Sequence, residues 1–348
     1  MTRGPVRVAI FGASGYTGYE LLRLLRGHQG VTIYRLFREN PPYGPLEALG
    51  GPWVHFQGLC FEAYEERLLE GVDVAFLALP AGSAAPFVPG LLKKDIRVVD
   101  LSPDFRFRTK AGYEAVYGPH PCPELLEEAA YGLPEFFGKS IQNARLVANP
   151  GCYATATLLF LYPLVKEGLI GQGPIVADAK SGFSGAGKKP TQKGVFSEVN
   201  ENFRAYSPLV HRHAPEMLDV LDRLGAKGVL LRFVPHLLPI NRGILATHYV
   251  PLVRAMGFSE IASAFQACYE GSPFIRLLPG GVLPETSAVR GTNFCDIGFV
   301  GVKGYPELVG FSCIDNLAKG ASGQAVQNFN LMMGFEQTCA LLGAPLYP

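Results

Sequence analysis

The amino-acid sequence predicts an α/β protein in which a doubly wound parallel sheet is followed by a second α/β domain with a mixed, largely antiparallel sheet. The chain of 348 residues has the length of two ordinary domains, and its 48% hydrophobic content is enough for two cores. Up to about residue 150, short apolar runs alternate with helical patterns. Beyond Cys152 the apolar runs are joined by long irregular connections, so the domain boundary is predicted there.

The elements of the first domain follow from hydrophobic periodicity. Between the first two apolar runs, leucines at positions 21, 22, 24 and 25 recur at helical spacing. A strand, a helix and a strand in this order favour right-handed crossovers and parallel strands. The runs predicted as buried strands of this sheet are residues 6–11, 31–37, 74–79, 96–101 and 146–148.

The second domain is predicted to begin with a helix from residue 154 to about residue 167. Five further apolar runs predict the strands of a mixed or antiparallel sheet. These runs are residues 175–179, 229–234, 244–253, 297–302 and 308–314. A last helix is predicted at about residues 323–342, because Val326, Phe329 and Met333 fall on one side of it.

Charge and composition exclude several classes of function. The 31 basic and 30 acidic residues leave a formal charge of +1 with no basic run, which argues against nucleic-acid binding. No apolar stretch reaches the ~20 residues of a membrane-spanning helix, and the chain enters a strand-like run at once, without a secretory segment. The seven cysteines show neither a disulfide framework nor metal-site spacing. We therefore expect a soluble cytoplasmic protein without a metal.

A glycine-rich segment after the first strand is the first candidate site. Gly12, Gly15 and Gly18 stand where glycines allow a tight turn and let a pyrophosphate approach the amides of a helix N-terminus. The spacing GxxGxxG differs from the commoner GxGxxG, and a structural turn is the alternative. Placement between a buried strand and an amphipathic helix favours a dinucleotide. The predicted cofactor-binding residues here are Gly12, Ala13, Ser14, Gly15, Tyr16, Thr17 and Gly18.

The end of the second strand bears on the choice of cofactor. NAD sites usually carry a carboxylate there for the ribose 2′-hydroxyl. This strand ends at Arg38, followed by Glu39, and an arginine can bind the 2′-phosphate of NADP. NADP is therefore favoured, with a solvated loop charge as the alternative interpretation of Arg38.

Cys152 is the candidate nucleophile. It follows Pro150 and Gly151 after a strand and stands just ahead of a helix of small residues. A helix N-terminus favours the thiolate, which is the nucleophilic form, and nearby amides can hold an oxyanion. A buried structural cysteine is the alternative, and we adopt it for the other six cysteines.

A nucleophilic cysteine needs a base, and the segment HRHAPE offers His211 and His213. Glu216 stands three residues after His213 and is predicted to orient its ring. A solvated basic turn is the alternative interpretation of this segment.

Two polar loops have the composition of ligand loops. Residues 181–189 combine small glycine and serine positions with lysines, which suits anion contact or a mobile lid. Residues 100–106 follow a strand of the first sheet, at the edge where open α/β sheets bind ligands. The candidate substrate-binding residues from these loops are Arg106, Ser184 and Lys188.

Taken together, these segments resemble the N-acetyl-γ-glutamyl-phosphate reductases, the arginine-pathway members of the semialdehyde dehydrogenase group. The resemblance covers nearly the whole chain, with the following segments in order: GASGYTG, DLSPDFR, NPGCYAT, KSGFSGAGKK, HRHAPE, PHLLPINRGILAT, GTNFCDI and IDNLAKGASGQAVQNFN. This many motifs in one order are far more specific than any single motif.

The resemblance implies a domain organisation and roles for individual residues. Residues 1–150 would form a Rossmann-type NADP-binding domain completed by residues 316–348, and residues 151–315 a catalytic, substrate-binding and oligomerisation domain of a homodimer or homotetramer. Cys152 matches the acyl-accepting cysteine, and His213 matches the acid/base, with His211 beside it. The positions expected near the cofactor are Ser181, Gly182 and Asn316.

The activity implied is NADPH-dependent reduction of N-acetyl-γ-glutamyl phosphate to N-acetylglutamate semialdehyde, with phosphate release through a thioester on Cys152. This is a step of arginine biosynthesis. Two related activities stay open, a protected aminoadipyl-phosphate reductase of lysine biosynthesis and an aspartate-semialdehyde-type dehydrogenase. A non-catalytic NADP-sensing protein is the alternative from a different class.

Overall fold

The structure, a computed structural model, describes residues 4–302 and 304–347. The chain forms two compact units, each with its own sheet. Of the described residues, one unit comprises residues 4–150 together with Ala321–Leu341. The other comprises residues 151–302, 304–320 and 342–347.

The sheet of the first unit has eight strands. They are β1 (Val6–Phe11), β2 (Val31–Phe37), β3 (Gly44–Pro45), β4 (Cys60–Glu62), β5 (Val74–Leu77), β6 (Arg97–Asp100), β7 (Ala130–Tyr131) and β8 (Leu146–Ala148). Their order is β3-β4-β2-β1-β5-β6-β8-β7, and every pair is parallel except β3–β4. The predicted doubly wound parallel sheet is confirmed.

Four helices accompany these strands: α1 (Tyr16–Leu25), α2 (Val88–Lys93), α3 (Lys110–Tyr117) and α4 (Pro134–Asn143). Helix α1 buries Leu21, Leu22 and Leu25, which is the apolar face that the leucine spacing predicts. Strand β5 ends two residues earlier than predicted, at Leu77. Pro80 follows closely and has no N–H to donate to a ladder, which accounts for the early end.

The sheet of the second unit has seven strands. They are β9 (Ile175–Gly182), β10 (Arg204–Ala205), β11 (Leu231–Leu238), β12 (Ile244–Pro251), β13 (Ile275–Leu277), β14 (Cys295–Gly301) and β15 (Glu307–Ile314). Their order is β10-β11-β9-β12-β15-β14-β13, with β11–β9 and β13–β14 parallel and the other pairs antiparallel. The predicted mixed, largely antiparallel sheet is confirmed.

The helices of this unit are α5 (Cys152–Lys166), α6 (Phe196–Val199), α7 (His213–Arg223) and α8 (Phe258–Tyr269). Helix α5 lies under the sheet, where the ring of Phe160 stacks on His248 at 4.6 Å with an interplanar angle of 4°. A Cβ at Gly310 would lie 1.7 Å from Phe160, so the glycine on β15 leaves the space that this ring fills. The helix starts two residues before the predicted position, at Cys152 itself.

Helix α9 (Gly323–Met333) belongs to the first unit and packs against α1 and α4. It ends nine residues before the predicted end, because Gly334 adopts a left-handed conformation with φ of 78° that closes the helix. Its polar residues are buried and hydrogen bonded. Asn328, for example, donates to the carbonyl oxygen of Gly132 and to Oδ1 of Asn149.

Candidate active site

The glycine-rich turn lies in the first unit, between β1 and α1. Gly12 has φ of 74°, and a Cβ there would lie 2.2 Å from the carbonyl oxygen of Ala78. A Cβ at Gly18 would lie 2.4 Å from the carbonyl oxygen of Gly12. Both positions therefore exclude any side chain. Glycines at these two positions allow the tight turn at the start of α1 that a pyrophosphate site requires.

A cavity of about 440 Å³ adjoins this turn, lined by Gly12, Arg38, Tyr64, Ser83 and Phe87 among others. The rings of Tyr64 and Phe87 meet edge to face at 5.0 Å. The Arg38 guanidinium donates to the carbonyl oxygens of Pro42 and Pro41 at 3.2 and 3.4 Å. An aromatic wall with a cation at its edge suits an adenosine bearing a phosphate.

Three of these lining residues were missed by the sequence analysis: Tyr64, Ser83 and Phe87. They come from loops that follow β4 and β5, and no motif marks them. Parallel strands bring such loops to one edge of the sheet, so the topology could have indicated the segments but not the residues.

Side chains of residues 100–106 hold neighbouring backbone segments of the first unit in place by hydrogen bonds. The Asp104 carboxylate accepts hydrogen bonds from the amides of Gly82, Ala84 and Ala85 at 2.7, 3.1 and 3.0 Å, which fixes the loop that contains Ser83. Burial, and then the nearby Asp104 charge, raise the pKa of Asp100 to about 8.

Arg106 is buried, with 7% of its surface exposed. Its Nε donates to the carbonyl oxygen of Asn149 at 2.8 Å, and its Nη2 donates to that of Leu101 at 2.9 Å. Arg106 therefore holds the end of β8, where the chain leaves the first unit. A role of Arg106 in binding substrate stays a prediction.

Cys152 is half-buried at the first position of α5, directly after Gly151. The amide of Gly151 donates to Oε1 of Glu216 at 2.8 Å, and Glu216 lies buried in the first turn of α7. A Cβ at Gly151 would lie 2.5 Å from Nε2 of His213, the first residue of α7. The residue before the thiol thus contacts both His213 and Glu216, so the N-terminal ends of α5 and α7 meet there.

His211 lies in an aromatic enclosure beside this point. Its ring meets those of Tyr153, Tyr206 and Phe233 at 5.4 to 5.7 Å, and that of His213 at 4.8 Å. Burial, with a smaller effect of the Arg212 charge, lowers the pKa of His211 to about 4. Its Nδ1 accepts the His213 amide at 3.1 Å. His211 therefore supports the first turn of α7 through this hydrogen bond, and its part in catalysis stays a prediction.

The predicted residues of the 181–189 loop are placed unequally. Ser181 and Gly182 are buried at the end of β9, Ser184 is half-buried, and Lys188 is exposed. Asn316 is buried, with its Oδ1 accepting the Gly243 amide at 2.8 Å and its Nδ2 donating to Ser184 at 2.9 Å. Asn316 therefore anchors the turn that follows β9, and its contact with a cofactor stays a prediction.

A larger groove, of about 500 Å³, lies at the C-terminal end of α5, away from Cys152. Among the described residues that line it, Lys227 is the only one with a titratable side chain. Among residues 4–302 and 304–347, no helix is both long and apolar enough to span a bilayer, and no group of three His, Cys, Asp or Glu residues could hold a metal.

Two family models match the chain. The semialdehyde dehydrogenase NAD binding domain matches residues 7–144, and the semialdehyde dehydrogenase dimerisation domain matches residues 152–316. Both matches identify the class as semialdehyde dehydrogenase, which agrees with a dinucleotide-type sheet followed by a domain that begins at a cysteine.

Curated relatives narrow the class. Proteins named N-acetyl-gamma-glutamyl-phosphate reductase from Magnetococcus marinus and Geobacter metallireducens are 44% and 45% identical to the chain, over 99% of it and over 99% and 100% of their own lengths. One from Desulforudis audaxviator is 44% identical over 99% of the chain and 100% of its own length. The chain belongs to the N-acetyl-γ-glutamyl-phosphate reductase family, and the resemblance found in the sequence is confirmed.

Solved structures share the fold at low sequence identity. Aspartate semialdehyde dehydrogenase II from Vibrio cholerae superposes with a TM-score of 0.73 at 16% identity, covering 95% of this chain and 99% of that one. The enzyme with NADP from Candida albicans gives 0.71 at 13% identity, covering 95% and 99%. At this identity the likeness concerns the fold alone.

Proposed function

We propose that this protein reduces N-acetyl-γ-glutamyl phosphate to N-acetylglutamate semialdehyde with NADPH, releasing phosphate, as a step of arginine biosynthesis. The observation that carries the proposal is the double contact of Gly151. This residue directly precedes Cys152 and contacts both His213 and Glu216. A soft nucleophile and a proton carrier at adjoining helix N-termini suit acyl transfer. Membership of the family supports the choice of acyl phosphate.

The residues of the first unit fit the cofactor. The glycine turn at Gly12 and Gly18 would hold the pyrophosphate, and the wall formed by Tyr64 and Phe87 would hold the adenosine. Arg38 at the edge of that cavity supports NADP over NAD. When bound, NADPH supplies the hydride that reduces an acyl group.

The chain's own residues carry out the acyl transfer. His213 takes the proton of the Cys152 thiol, and the thiolate attacks the acyl carbon. Phosphate leaves with the electrons of the broken C–O bond, and a thioester forms on Cys152. The first intrahelical bond of α5 runs from the Thr155 amide to the Gly151 carbonyl, and the amides ahead of it, which have no acceptor within the helix, would hold the developing oxyanion.

Product release reverses the proton transfer. Once the thioester carbon has been reduced, the oxyanion of the thiohemiacetal collapses and expels the sulfur of Cys152. The protonated imidazole of His213 donates to the departing sulfur, which restores the thiol and the neutral ring. His211, neutral and enclosed by aromatic rings, supports the first turn of α7 and carries no proton in this scheme.

We place the enzyme in the cytoplasm as a homodimer or homotetramer assembled through its second unit. The match to a dimerisation domain supports assembly. The face of the seven-stranded sheet opposite α5 is the surface we propose for assembly. Its apolar side chains Val176, Val234 and Tyr249 are partly or largely exposed in the single chain. None of the seven cysteines, all in the described part of the chain, forms a disulfide, which fits a reducing compartment. Sedimentation equilibrium would give the number of chains.

The reverse reaction tests the proposal. N-acetylglutamate semialdehyde, phosphate and NADP are supplied, and the absorbance of reduced nicotinamide is followed. Parallel assays use NAD, a protected aminoadipate semialdehyde and aspartate semialdehyde. We expect phosphate-dependent reduction of NADP with the first substrate and its loss in Cys152→Ala. A higher rate with another semialdehyde would reassign the substrate. Silence with every substrate, from folded protein that binds NADP, would favour the sensing protein.

A further inference from the structure

Gly320 lies against the candidate nucleophile. A Cβ at this position would lie 2.8 Å from Cβ of Cys152 and 3.4 Å from its Cα. Real side chains do not approach so closely, so any residue other than glycine would displace the cysteine or its own backbone. Gly320 stands within the segment IDNLAKGASGQAVQNFN, and the sequence alone predicted no role for it.

The position of Gly320 is set by Asp315. The amide of Gly320 donates to the Asp315 carbonyl oxygen at 2.9 Å, five residues back, at the start of a π-helical turn over Ala318–Ser322. The Asp315 carboxylate accepts the amides of Leu317 and Ala318 at 2.8 and 2.9 Å. One buried aspartate therefore shapes the turn from both its main chain and its side chain.

Arg242 completes the arrangement. Its Nε and Nη2 donate to the two oxygens of the Asp315 carboxylate at 2.8 and 3.0 Å, and the carboxylate also accepts the Gly291 amide at 2.6 Å. The Asp315 side chain is fully buried, and 17% of the Arg242 side chain is exposed. A buried carboxylate with this many hydrogen-bond donors is held rigidly in place.

We propose that Gly320, held by the Arg242–Asp315 pair, is a positioning element that fixes the rotamer and depth of the Cys152 side chain. The turn lies behind the Cβ of the cysteine, so a shift of the turn moves the sulfur relative to an incoming acyl carbon. The proposal rests on the role of Cys152 as nucleophile proposed above. Arg242, Asp315 and Gly320 act through Cys152 and are not themselves catalytic residues.

The first test is Gly320→Ala, with Gly90→Ala as its matched control, because Gly90 is exposed in α2 and has open space around its Cα. The readouts are the rate of Cys152 alkylation by iodoacetamide, measured on the Cys152 peptide by mass spectrometry, kcat, and the dissociation constant of NADP. We expect Gly320→Ala to lower kcat by about 10- to 100-fold and to change the alkylation rate, with NADP binding unaltered. We expect Gly90→Ala to match the wild type.

The second test compares Arg242→Lys with Arg276→Lys. Arg276 forms a similar two-bond pair with buried Asp296 in the same unit, away from the π-helical turn. Both changes are expected to lower the melting temperature, but only Arg242→Lys should change Cys152 alkylation and kcat. Equal alkylation rates in the two variants, or a wild-type rate and kcat in Gly320→Ala, would overturn the inference. Full activity of Cys152→Ala would instead overturn the proposed function.

Discussion

The amide of Gly151 donates a 2.8 Å hydrogen bond to Oε1 of Glu216. This bond joins the residue before Cys152 to the first turn of α7, the helix that begins with His213. Glu216 is buried, so its carboxylate and the Gly151 amide are both withdrawn from water. The two elements of the proposed chemistry are thus aligned by one buried carboxylate, and this contact makes their relative position testable.

Glu216→Ala is expected to lower kcat more than Glu216→Gln. Alanine leaves the Gly151 amide without its acceptor, at a cost of about 1–3 kcal/mol, and loosens the junction of α5 and α7. Glutamine keeps an acceptor oxygen in place, so we expect its kcat to exceed that of alanine by about tenfold. Steady-state kinetics with melting curves would check this. Equal kcat values in two folded variants would contradict a positioning role for Glu216.

His211→Asn and His213→Asn are expected to differ in their pH profiles. The pKa of His211 is lowered to about 4 by burial, so its ring is neutral through the working range of pH. Asparagine can still accept the His213 amide, so His211→Asn should keep the pH limb of kcat/KM that reports the proton carrier. His213→Asn should abolish that limb and lower kcat by about 100-fold or more. Loss of the limb in His211→Asn alone would transfer the proton-carrying role to His211.

Arg38→Ala is expected to weaken NADP binding by about 10- to 100-fold, because a charge-assisted bond to the 2′-phosphate is lost. NAD has no such phosphate, so its dissociation constant should stay nearly constant. Arg35→Ala is the matched control, since Arg35 lies on β2, the strand that Arg38 directly follows, and pairs with Glu62 at 3.1 Å. Fluorescence titration would measure the dissociation constants of NADP and NAD for the wild type and for both variants. Equal weakening of both nucleotides would show that Arg38 only supports its loop.

Acid is expected to destabilise the fold through His248. This histidine is fully buried against Phe160, and burial lowers its pKa to about 3 from an ordinary value of 6.5. Between pH 6.5 and about 3 the unfolded chain binds a proton that the folded chain does not, so the free energy of unfolding falls as the pH is lowered. The contribution is about 1.4 kcal/mol per pH unit.

His248→Phe keeps a flat ring beside Phe160 and removes the titrating group. Denaturant melts between pH 4 and pH 6 should therefore show a shallower loss of stability in this variant, by about 1.4 kcal/mol per pH unit. His55→Phe is the control, because His55 is exposed. An unchanged slope in His248→Phe would mean that His248 does not titrate with unfolding.

The sequence predicts ten of the fifteen described strands, because a buried strand needs a continuous apolar run and little else. It misses β3, β4, β7, β10 and β13, which are only two or three residues long and offer no such run. Residues 6–11, 31–37 and 146–148 are strands with the predicted bounds. The ends of helices depend on single residues, and the prediction erred there. Gly334, in a left-handed conformation, ends α9 well before the apolar pattern stops.

The site was predicted where chemistry is local and missed where it depends on tertiary contacts. The placement of Cys152 beside a helix start follows from its Pro-Gly turn, although α5 begins two residues earlier than predicted, and the glycine turn at Gly12 follows from its spacing. The bond between Glu216 and Gly151 joins residues 65 positions apart, and no spacing rule reaches that far. The same holds for Gly320, which lies against Cys152 from far along the chain and is held in its turn by a hydrogen bond to Asp315.

The central claim is the covalent route through Cys152, and a burst experiment without phosphate tests it most directly. N-acetylglutamate semialdehyde and NADP are mixed rapidly with the enzyme, and reduced nicotinamide is followed before and after phosphate is added. We predict a burst of about one equivalent of reduced nicotinamide per active site before phosphate is added, with one acyl group found on the Cys152 peptide by mass spectrometry. Turnover should begin once phosphate is added. Steady turnover with phosphate but no burst and no acylated Cys152 without it would contradict the account.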